Sequence, residues 1–589
     1  MDRTIQKRLL MSLALAVWAI AILFPLLGAS PVFQVSEGRE GVVVGEMLDS
    51  GDFILPLRNG EFVPSKPLLF HWIGAATATV LDVLDEFVLR FPSALAACGL
   101  LFALSHALRA VPGSQSYVPG LLLLLSMYGF LRLAQDGRVD MVFGCLVCAA
   151  IFEWLAAAIR CRAARQLLSE IPNSIYLRVA LLCGLAVLAK GPLGIVLPLL
   201  VILSIAAMEE RMSGLLSVGR WHWLIAPLLA APWYVLAAQR GSDAFVGRKF
   251  YFENLLRFVG GEGITPKPFW FYIPHFFSQT APWGILFLLY LGFLARGEWN
   301  RRKRGTENPF LPRDPATRLA IRAGLVWIAV TLLFLSLSAG KRRGYLLPVL
   351  PAVAFVLALR MEATWRRLQA EGKDVRLMYL MRYELFSWGV LVWLLGASIV
   401  GGIFYSLSAI LPLLPLNSEI EVYLSSVAAY LDGPGYFAKV LLSALFLASI
   451  ALWFGSFIRR RPLWGMLGAV VLVQALVLFF ATVFVGVKGV THTYRDYALT
   501  LANRVPADIP IHFIKLRKDE SFDGFFFYLR RHVHIVEPNA KIAAPGMFLA
   551  RRKWVESNRE AIVGELTELL VGGRQVDEPE EQLVLFTLQ

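Results

Sequence analysis

The sequence has few charged residues and few cysteines for its length. Only 17% of its 589 residues are charged, whereas soluble globular proteins carry about 25%. This shortage excludes a disordered chain, a coiled coil and an ordinary cytosolic enzyme. All 5 cysteines precede residue 190. The long polar tail after residue 488 therefore has no disulfide framework and no cysteine-based zinc site.

Apolar residues are abundant instead. They make up 57% of the chain, and the mean hydropathy is +0.61, as expected for a membrane protein that spans the bilayer many times. A spanning helix needs about 20 mostly apolar residues. Thirteen runs meet this description, at residues 9–29, 88–110, 117–134, 139–160, 176–190, 192–208, 221–238, 269–296, 317–338, 343–360, 383–408, 436–458 and 463–487. The first run lacks a small-residue cleavage site and is predicted to be an anchor. The short run 67–82 is predicted to be an interfacial helix.

The basic residues predict the orientation in the membrane. The net charge of +14 would suggest nucleic acid binding in a soluble protein. Here alternate loops carry the basic residues, as cytoplasmic loops of membrane proteins do, so no nucleic acid partner is predicted. The N-terminus is predicted to be cytoplasmic and the tail extracytoplasmic. The basic groups are Arg3, Lys7 and Arg8; Arg160, Arg162 and Arg165; Arg296 and Arg301 to Arg304; Arg366, Arg367, Lys373 and Arg376; and Arg459 to Arg461.

Two domains are predicted. Residues 1–487 form the transmembrane domain, whose first outer loop spans residues 30–87, and residues 488–589 form a small α/β domain. In the tail, residues 509–516, 525–536 and 583–588 are typical of strands. Residues 494–506 and 558–573 have helical periodicity.

Several cations lie on the face that should be poor in them. They are Arg39, Arg58 and Lys66 in the first outer loop, Arg132 and Arg138 in the second, Lys190 at a Gly-Pro break, and Lys341, Arg342 and Arg343 in another outer loop. A single cation of this kind is explained by its long side chain reaching the membrane interface. Ionisable residues at membrane depth usually mark a functional site, so the whole set predicts an anionic ligand.

The first outer loop also predicts a helix beside two candidate acids. Ser36 is expected to cap a helix from Glu37 to Ser50 that buries Val43, Val44 and Met47 and ends at Gly51. Glu37 has a structural explanation, since an acid in the first turn stabilises the helix dipole. Asp140 lies at the outer start of another span. Together the two acids and the nearby cations predict one active-site crevice.

The order of the motifs resembles that of a known family. After Glu-x-Arg at residues 37–39 and Lys-Pro at residues 66–67 come LRFPSAL (89–95), RVDM (138–141), GLAVLAKGPLGIVLPLL (184–200), FENLLRFVGG (252–261), PKPFWFYIP (266–274) and SLSAGKRRGYLLPVLPA (336–352). This ordered set is similar to the GT-C type, polyprenyl-phosphate-dependent glycosyltransferases of the protein O-mannosyltransferase superfamily. Among these, it is closest to the bacterial aminoarabinose transferases that modify lipid A.

The resemblance implies an α-helical polytopic fold with about thirteen spans and an outer crevice. It also implies a sugar donor linked to polyprenyl phosphate and a lipid or glycan acceptor. Lys66 and Tyr345 match family residues that contact the donor phosphate, and Lys341 and Arg343 stand beside Tyr345. Arg39 and Asp140 match the loop arginine and aspartate. Lys190 joins the phosphate-binding set because of its depth in the membrane. Glu37 and Asp140 are the candidate catalytic acids.

The sequence departs from the family at three positions. Ser36 replaces an aspartate, and Ser65 and Thr265 stand where a glutamate and a histidine are usual, so no metal is predicted. A hydroxyl acceptor would need Glu37 or Asp140 as a base, whereas a phosphate acceptor would need none.

Two other functions remain open at this stage. A transporter or flippase of an anionic lipid would explain the cations, although no inverted repeat is visible. An inactive relative that binds lipid phosphate would explain Ser36. A glycosyltransferase best explains the long first loop and the folded tail.

Overall fold

The structure is a computed structural model. It describes residues 3–59, 66–219, 221–246, 259–260, 266–304, 312, 314–370, 436–458, 468, 471–472, 474–476, 478, 485–514, 522–537, 546–559, 565–574 and 577–588.

Most of the described chain is helical. Helices α1 to α8 are Arg3–Leu23, Val35–Ser50, Leu69–Leu81, Glu86–Arg109, Tyr117–Leu125, Tyr128–Ala134, Val139–Ala163 and Asn173–Lys190. Helices α9 to α15 are Leu193–Val218, Ile225–Val246, Tyr272–Thr280, Trp283–Arg304, Pro315–Leu337, Leu350–Ala370 and Tyr436–Ile458. A 3₁₀ segment, Arg343–Val349, leads into α14.

The helices are those of a multi-pass membrane protein. Among the described residues, 7 helical segments are long and apolar enough to cross a membrane, and the number rises to 9 if two bent pairs are each one span. The seven are Glu86–Arg109, Val139–Ala163, Asn173–Lys190, Leu193–Val218, Trp221–Gly241, Pro315–Leu337 and Arg343–Ala363. The number thirteen stays a prediction, because the run 383–408 and much of 463–487 lie outside the described residues.

Two predicted spans are bent, which corrects the sequence analysis. The run 117–134 breaks into α5 and α6 at 71°, and 269–296 breaks into α11 and α12 at 116°. At the first break the hydroxyl of Ser126 donates to the carbonyl of Leu122 at 2.7 Å and accepts a hydrogen bond from Trp283 at 2.7 Å. At the second, Pro282 has no N–H with which to continue the helix. The two breaks therefore pack against each other.

Helix α7 lies at the centre of the bundle. Its Trp154 and Phe152 are fully buried, and the ring of Phe152 lies 4.8 Å from that of Trp327 on α13. A Cβ at Gly144 would lie 2.3 Å from Leu347, so glycine permits the close approach of the 3₁₀ segment. This packing fixes the N-terminal end of α7, where Asp140 lies.

Among its described residues, the tail contains a five-stranded mixed sheet. After α16 (Val485–His492) and α17 (Arg495–Arg504) come β1 (Ile511–Ile514), α18 (Asp523–Leu529), β2 (Val533–Val536), β3 (Gly546–Arg551), α19 (Arg552–Ser557), β4 (Leu566–Gly572) and β5 (Leu583–Leu588). The strand order is β2-β1-β3-β5-β4. Strand β1 pairs parallel with β2 and β3, and β5 pairs antiparallel with β3 and β4.

Two predictions of secondary structure in the tail were wrong in part. The aromatic segment at 525–529 is helix α18, because Phe525, Phe527 and Leu529 are buried on a helix that packs against α2. Residues 566–572 form the edge strand β4, since pairing with β5 overrides the helical preference of the segment. Strand β3 was not predicted.

The strand domain docks onto the first outer loop. A Cβ at Gly38 would lie 2.5 Å from the backbone nitrogen of Gly524, so α2 and α18 touch backbone to backbone. Arg58 binds Asp523 at 2.9 Å, and the hydroxyl of Tyr528 donates to Glu86 at 2.7 Å. We call the end of the bundle that bears these contacts the domain-bearing face.

Helix α2 begins two residues earlier than predicted. It starts at Val35 with Gln34 before it, so Ser36 lies inside the first turn and is not the cap. The predicted C-terminal end is confirmed, since Gly51 has the left-handed φ of 70°, which glycine adopts without strain. Val43, Val44 and Met47 are buried as predicted.

Candidate functional site

Asp140 lies in a cluster of cations at the domain-bearing face. One carboxylate oxygen is 2.5 Å from Nζ of Lys190, and the other is 3.0 Å from Nη2 of Arg138. The Lys190 ammonium also lies over the ring of Tyr345, at 4.3 Å from its centroid. Three residues predicted from sequence, Asp140, Lys190 and Tyr345, are therefore brought together.

Local backbone geometry explains this placement. Helix α8 ends at Lys190 because Gly191 has φ 118° and ψ −166°, a conformation that only glycine adopts readily. The lysine thus ends the span and extends towards α7.

Glu37 has its hydrogen-bonding capacity filled. Its carboxylate accepts two hydrogen bonds from Arg90, at 2.6 and 3.1 Å, and one from the backbone N–H of Gly137 at 2.9 Å. Its side chain is 1% exposed. Arg90 also donates to the carbonyls of Leu27 and Ser30 at 2.6 and 2.7 Å. Glu37 therefore ties α2 to α4 and to the turn before α7, which is a positioning geometry.

A second buried pair lies one turn further along α2. Glu40 is 2.8 Å from Nε2 of His71 on α3. Although burial raises the pKa of Glu40, the hydrogen bond and charge of His71, with Arg39 and Lys66 nearby, hold it below its ordinary value. Lys66 interacts electrostatically with both Glu40 and Asp140. The first loop thereby joins the cluster around Asp140.

Arg39 has an unused donor. Its Nε is buried and has no hydrogen-bond partner among the residues that the structure describes. Because buried donors in proteins are almost always paired, this atom is suited to an anionic ligand.

The turn between α6 and α7 links the acids. The hydroxyl of Ser93 donates to the backbone carbonyl of Asp136 at 2.7 Å and to that of Arg138 at 3.2 Å. Gly137 of the same turn binds Glu37, and Arg138 binds Asp140. The two predicted acids therefore belong to one continuous network.

Lys341 and Arg343 are placed differently from each other. Lys341 is buried, and its ammonium donates to the carbonyl of Lys267 at 3.0 Å and to that of Ser338. Burial lowers the pKa of Lys341. Arg343 is exposed at the start of the 3₁₀ segment. Both flank Tyr345, but no contact that the structure records joins them to Asp140.

The positions that bear on a metal lie outside the described residues. Ser65 and Thr265 fall there, so their side chains have no described geometry. The prediction that no metal is bound stays a prediction.

Sequence reasoning missed four residues of this network. Arg90, Glu40, His71 and Asp136 are all buried. A signal for Arg90 was present, because an arginine in the first turns of a spanning helix needs a buried partner. The Glu40–His71 pair joins positions 31 residues apart and has no local signature.

The fold is shared with a solved transferase. The crystal structure of ArnT from Cupriavidus metallidurans bound to undecaprenyl phosphate superposes with a TM-score of 0.69 at 16% identity, covering 98% of this chain and 97% of that one. The same protein in the apo state gives 0.66 at 17% identity. This chain has the fold of ArnT. The fold that the resemblance implies is thus confirmed.

Curated relatives agree with this fold. The chain is 29% identical over 372 residues to the undecaprenyl phosphate-alpha-4-amino-4-deoxy-L-arabinose arabinosyl transferase of Aeromonas salmonicida, covering 61% of each protein. It is 26% identical over 339 residues to that of Shewanella sediminis, covering 56% of each. The matched part is therefore about three fifths of the length of these relatives. No protein-family model matches the chain.

Proposed function

We propose that this protein is a membrane glycosyltransferase that moves a sugar from undecaprenyl phosphate to an acceptor such as lipid A. The observation that carries the proposal is the cluster of Lys190, Arg138 and Tyr345 around Asp140. It lies at the ends of spans, beside a folded domain, where a lipid phosphate and a large acceptor can meet. The matches to arabinosyl transferases support this choice of substrates.

The cations suit the departure of a lipid phosphate. The acceptor oxygen forms a bond to the anomeric carbon while the bond from that carbon to the phosphate oxygen breaks. The electron pair stays on the phosphate, and undecaprenyl phosphate leaves with its negative charge. Ammonium and guanidinium groups held in place stabilise such developing charge. Direct displacement inverts the anomeric carbon.

Each predicted residue has a proposed task. Lys66, Lys190, Tyr345 and Nε of Arg39 bind the donor phosphate, and Lys341 and Arg343 stand beside Tyr345. Asp140 holds Lys190 and Arg138 in place. Glu37 orders the first loop through Arg90. A hydroxyl acceptor would pass its proton to Glu37 or Asp140, whereas a phosphate on lipid A would need no base.

The proposal also includes the membrane in which the protein lies and its orientation there. We place the protein in a bacterial inner membrane with the domain-bearing face outside the cytoplasm, because the basic loops lie at the other end. Residues 1–487 would then be the transmembrane domain and 488–589 the periplasmic one.

The test is a transfer assay with the purified full-length chain. Undecaprenyl phosphate carrying 4-amino-4-deoxy-L-arabinose, or another sugar from a panel, is mixed with lipid A, and the glycosylated lipid is measured. We expect transfer from one donor of the panel, reduced roughly tenfold or more by Lys66→Ala and by Tyr345→Phe. Lys303→Ala, at an exposed position of α12, is the matched control and should leave transfer unchanged.

Two results would contradict the proposal. If no donor of the panel loses its sugar, the protein is not this transferase and a lipid transporter becomes the better explanation. If both variants transfer at the wild-type rate, the phosphate does not bind at Lys66 and Tyr345.

A further inference from the structure

The turn between α6 and α7 holds a buried carboxylate that the transfer step above does not use. Asp136 is 4% exposed, and neither of its carboxylate oxygens has a hydrogen-bond partner in the part of the chain that the structure describes. Its ion pair with Nη1 of Arg138 is 3.6 Å long, beyond hydrogen-bond distance. A charged carboxylate buried in this way costs stability, so packing does not account for it.

Arg138 is shared between two acids. Its Nη2 is 3.0 Å from Asp140, whereas its Nη1 has the looser contact with Asp136. A guanidinium presents a planar fork that binds two oxygens at once, and phosphate oxygens fit this fork well. An incoming phosphate can therefore bind Nη1 of Arg138.

Charged groups of both signs act on Asp136. Burial and the charge of Glu37 raise its pKa to about 6, although Arg138, Arg132 and Arg90 act in the opposite direction. Asp136 lies in the turn between two spanning segments. The groups that face Arg138 are Asp140, Asp136, Glu40 and Tyr345.

We propose that Asp136 is a positioning residue that competes with the donor phosphate for Nη1 of Arg138. This inference rests on the proposed function. With its charge present, Asp136 holds Nη1 back from the donor. Once it takes up a proton, Nη1 is released and binds a phosphate oxygen. Donor binding should therefore strengthen as the pH falls through the range in which Asp136 titrates.

Two substitutions separate this role from a structural one. Asp136→Asn keeps the shape of the side chain and imitates its protonated state, so it should bind the donor tightly at every pH. Arg138→Gln removes the contested group, so it should bind weakly at every pH. The Kd of the wild type should lie near that of Arg138→Gln at about pH 8 and near that of Asp136→Asn at about pH 5. We expect it to fall by on the order of tenfold between these pH values.

The experiment measures binding to the full-length protein in detergent. The probe is a polyprenyl methyl phosphodiester, whose single negative charge is fixed between about pH 5 and about pH 8, so only protein groups titrate. Asp496→Asn, at an exposed position of α17, is the control and should follow the wild type.

Thermal unfolding tests whether Asp136→Asn is folded. When the pKa of a carboxyl is raised in the folded state, the folded protein becomes less stable as the pH rises through that pKa. Asp136→Asn should therefore unfold at the same or a higher temperature than the wild type at about pH 8.

The outcomes are distinct. The inference is supported if the wild type binds more tightly at low pH, Asp136→Asn binds tightly at every pH and Arg138→Gln binds weakly at every pH. Equal pH dependence in the wild type and Asp136→Asn overturns the inference and leaves the proposed function intact. If His71→Gln loses the pH dependence and Asp136→Asn keeps it, the dependence comes from the Glu40–His71 pair. This result also overturns the inference. Failure of the wild type to bind the probe at any pH overturns both.

Discussion

Glu37, predicted from sequence as a catalytic carboxylate, is bound in the structure by residues far along the chain. Its position after the first span, beside Arg39, favoured a catalytic carboxylate. The structure surrounds it with Arg90 and Gly137, at 2.6 to 3.1 Å. The pair joins residues 53 apart, and sequence patterns carry no information about such a distance. Asp140 and Lys190, in contrast, were predicted because each stands at a visible break in an apolar run, and Tyr345 was predicted because it matches a residue of the family motif.

Glu37→Gln should therefore act mainly on stability. The change leaves the buried guanidinium of Arg90 without its counter-charge, which costs about 3–5 kcal/mol in buried pairs. The measurement is thermal unfolding in detergent. The control is Glu153→Gln, which breaks a more exposed pair with Arg178, 2.7 Å long, and should cost at most about 1 kcal/mol.

A double variant, Glu37→Gln with Arg90→Gln, completes the test. It should be destabilised less than the sum of the two single variants, since the unpaired charge is gone. If Glu37→Gln keeps the wild-type unfolding temperature and loses transfer, Glu37 is the reacting carboxylate that the sequence suggested.

At the scale of the elements, apolar runs and glycines predicted most helices. The ends of α2 and α8 follow from Gly51 and Gly191. The breaks within 117–134 and 269–296 were not predicted, because they depend on contacts between the two segments. Strand β4 was not predicted either, since its pairing with β5 decides its structure. The missing information is tertiary in each case.

The contact between α2 and α18 gives a test at this scale. In Gly38→Ala the new Cβ would lie 2.5 Å from a backbone nitrogen of α18, so the two helices must separate. We expect a loss of about 1–3 kcal/mol in stability and faster proteolysis of the strand domain. Limited proteolysis and thermal unfolding measure both.

Gly45→Ala is the matched control on the same helix. Its Cβ would lie 3.7 Å from Leu84, an ordinary contact, and alanine favours helix by about 0.5–1 kcal/mol over glycine. Equal effects of the two substitutions would show that α2 and α18 do not pack as described.

At the scale of the whole molecule, the site depends on which side of the membrane the domain-bearing face occupies. Every contact between the strand domain and the bundle named here is made by the first outer loop or the start of α4. Among the described residues, the basic groups at the C-terminal ends of α7, α12 and α14 lie at the other ends of the spans. A sugar donor and acceptor that meet outside the cytoplasm require this orientation.

Cysteine labelling in intact cells tests the orientation. Ser557→Cys, exposed on α19, should react with a thiol reagent that passes the outer membrane but not the inner one. Lys303→Cys should react only after the inner membrane is opened, and the unsubstituted protein gives the background of its 5 native cysteines. The reverse pattern would place the strand domain in the cytoplasm and overturn the proposed function.

The most direct test of the account is an experimental structure of the protein with undecaprenyl phosphate bound. The account predicts the phosphate at the N-terminal end of α7, within hydrogen-bond distance of Lys66, Lys190 or Tyr345, and its polyprenyl chain between helices. A phosphate bound at the opposite end of the bundle, among the basic loops, would contradict it.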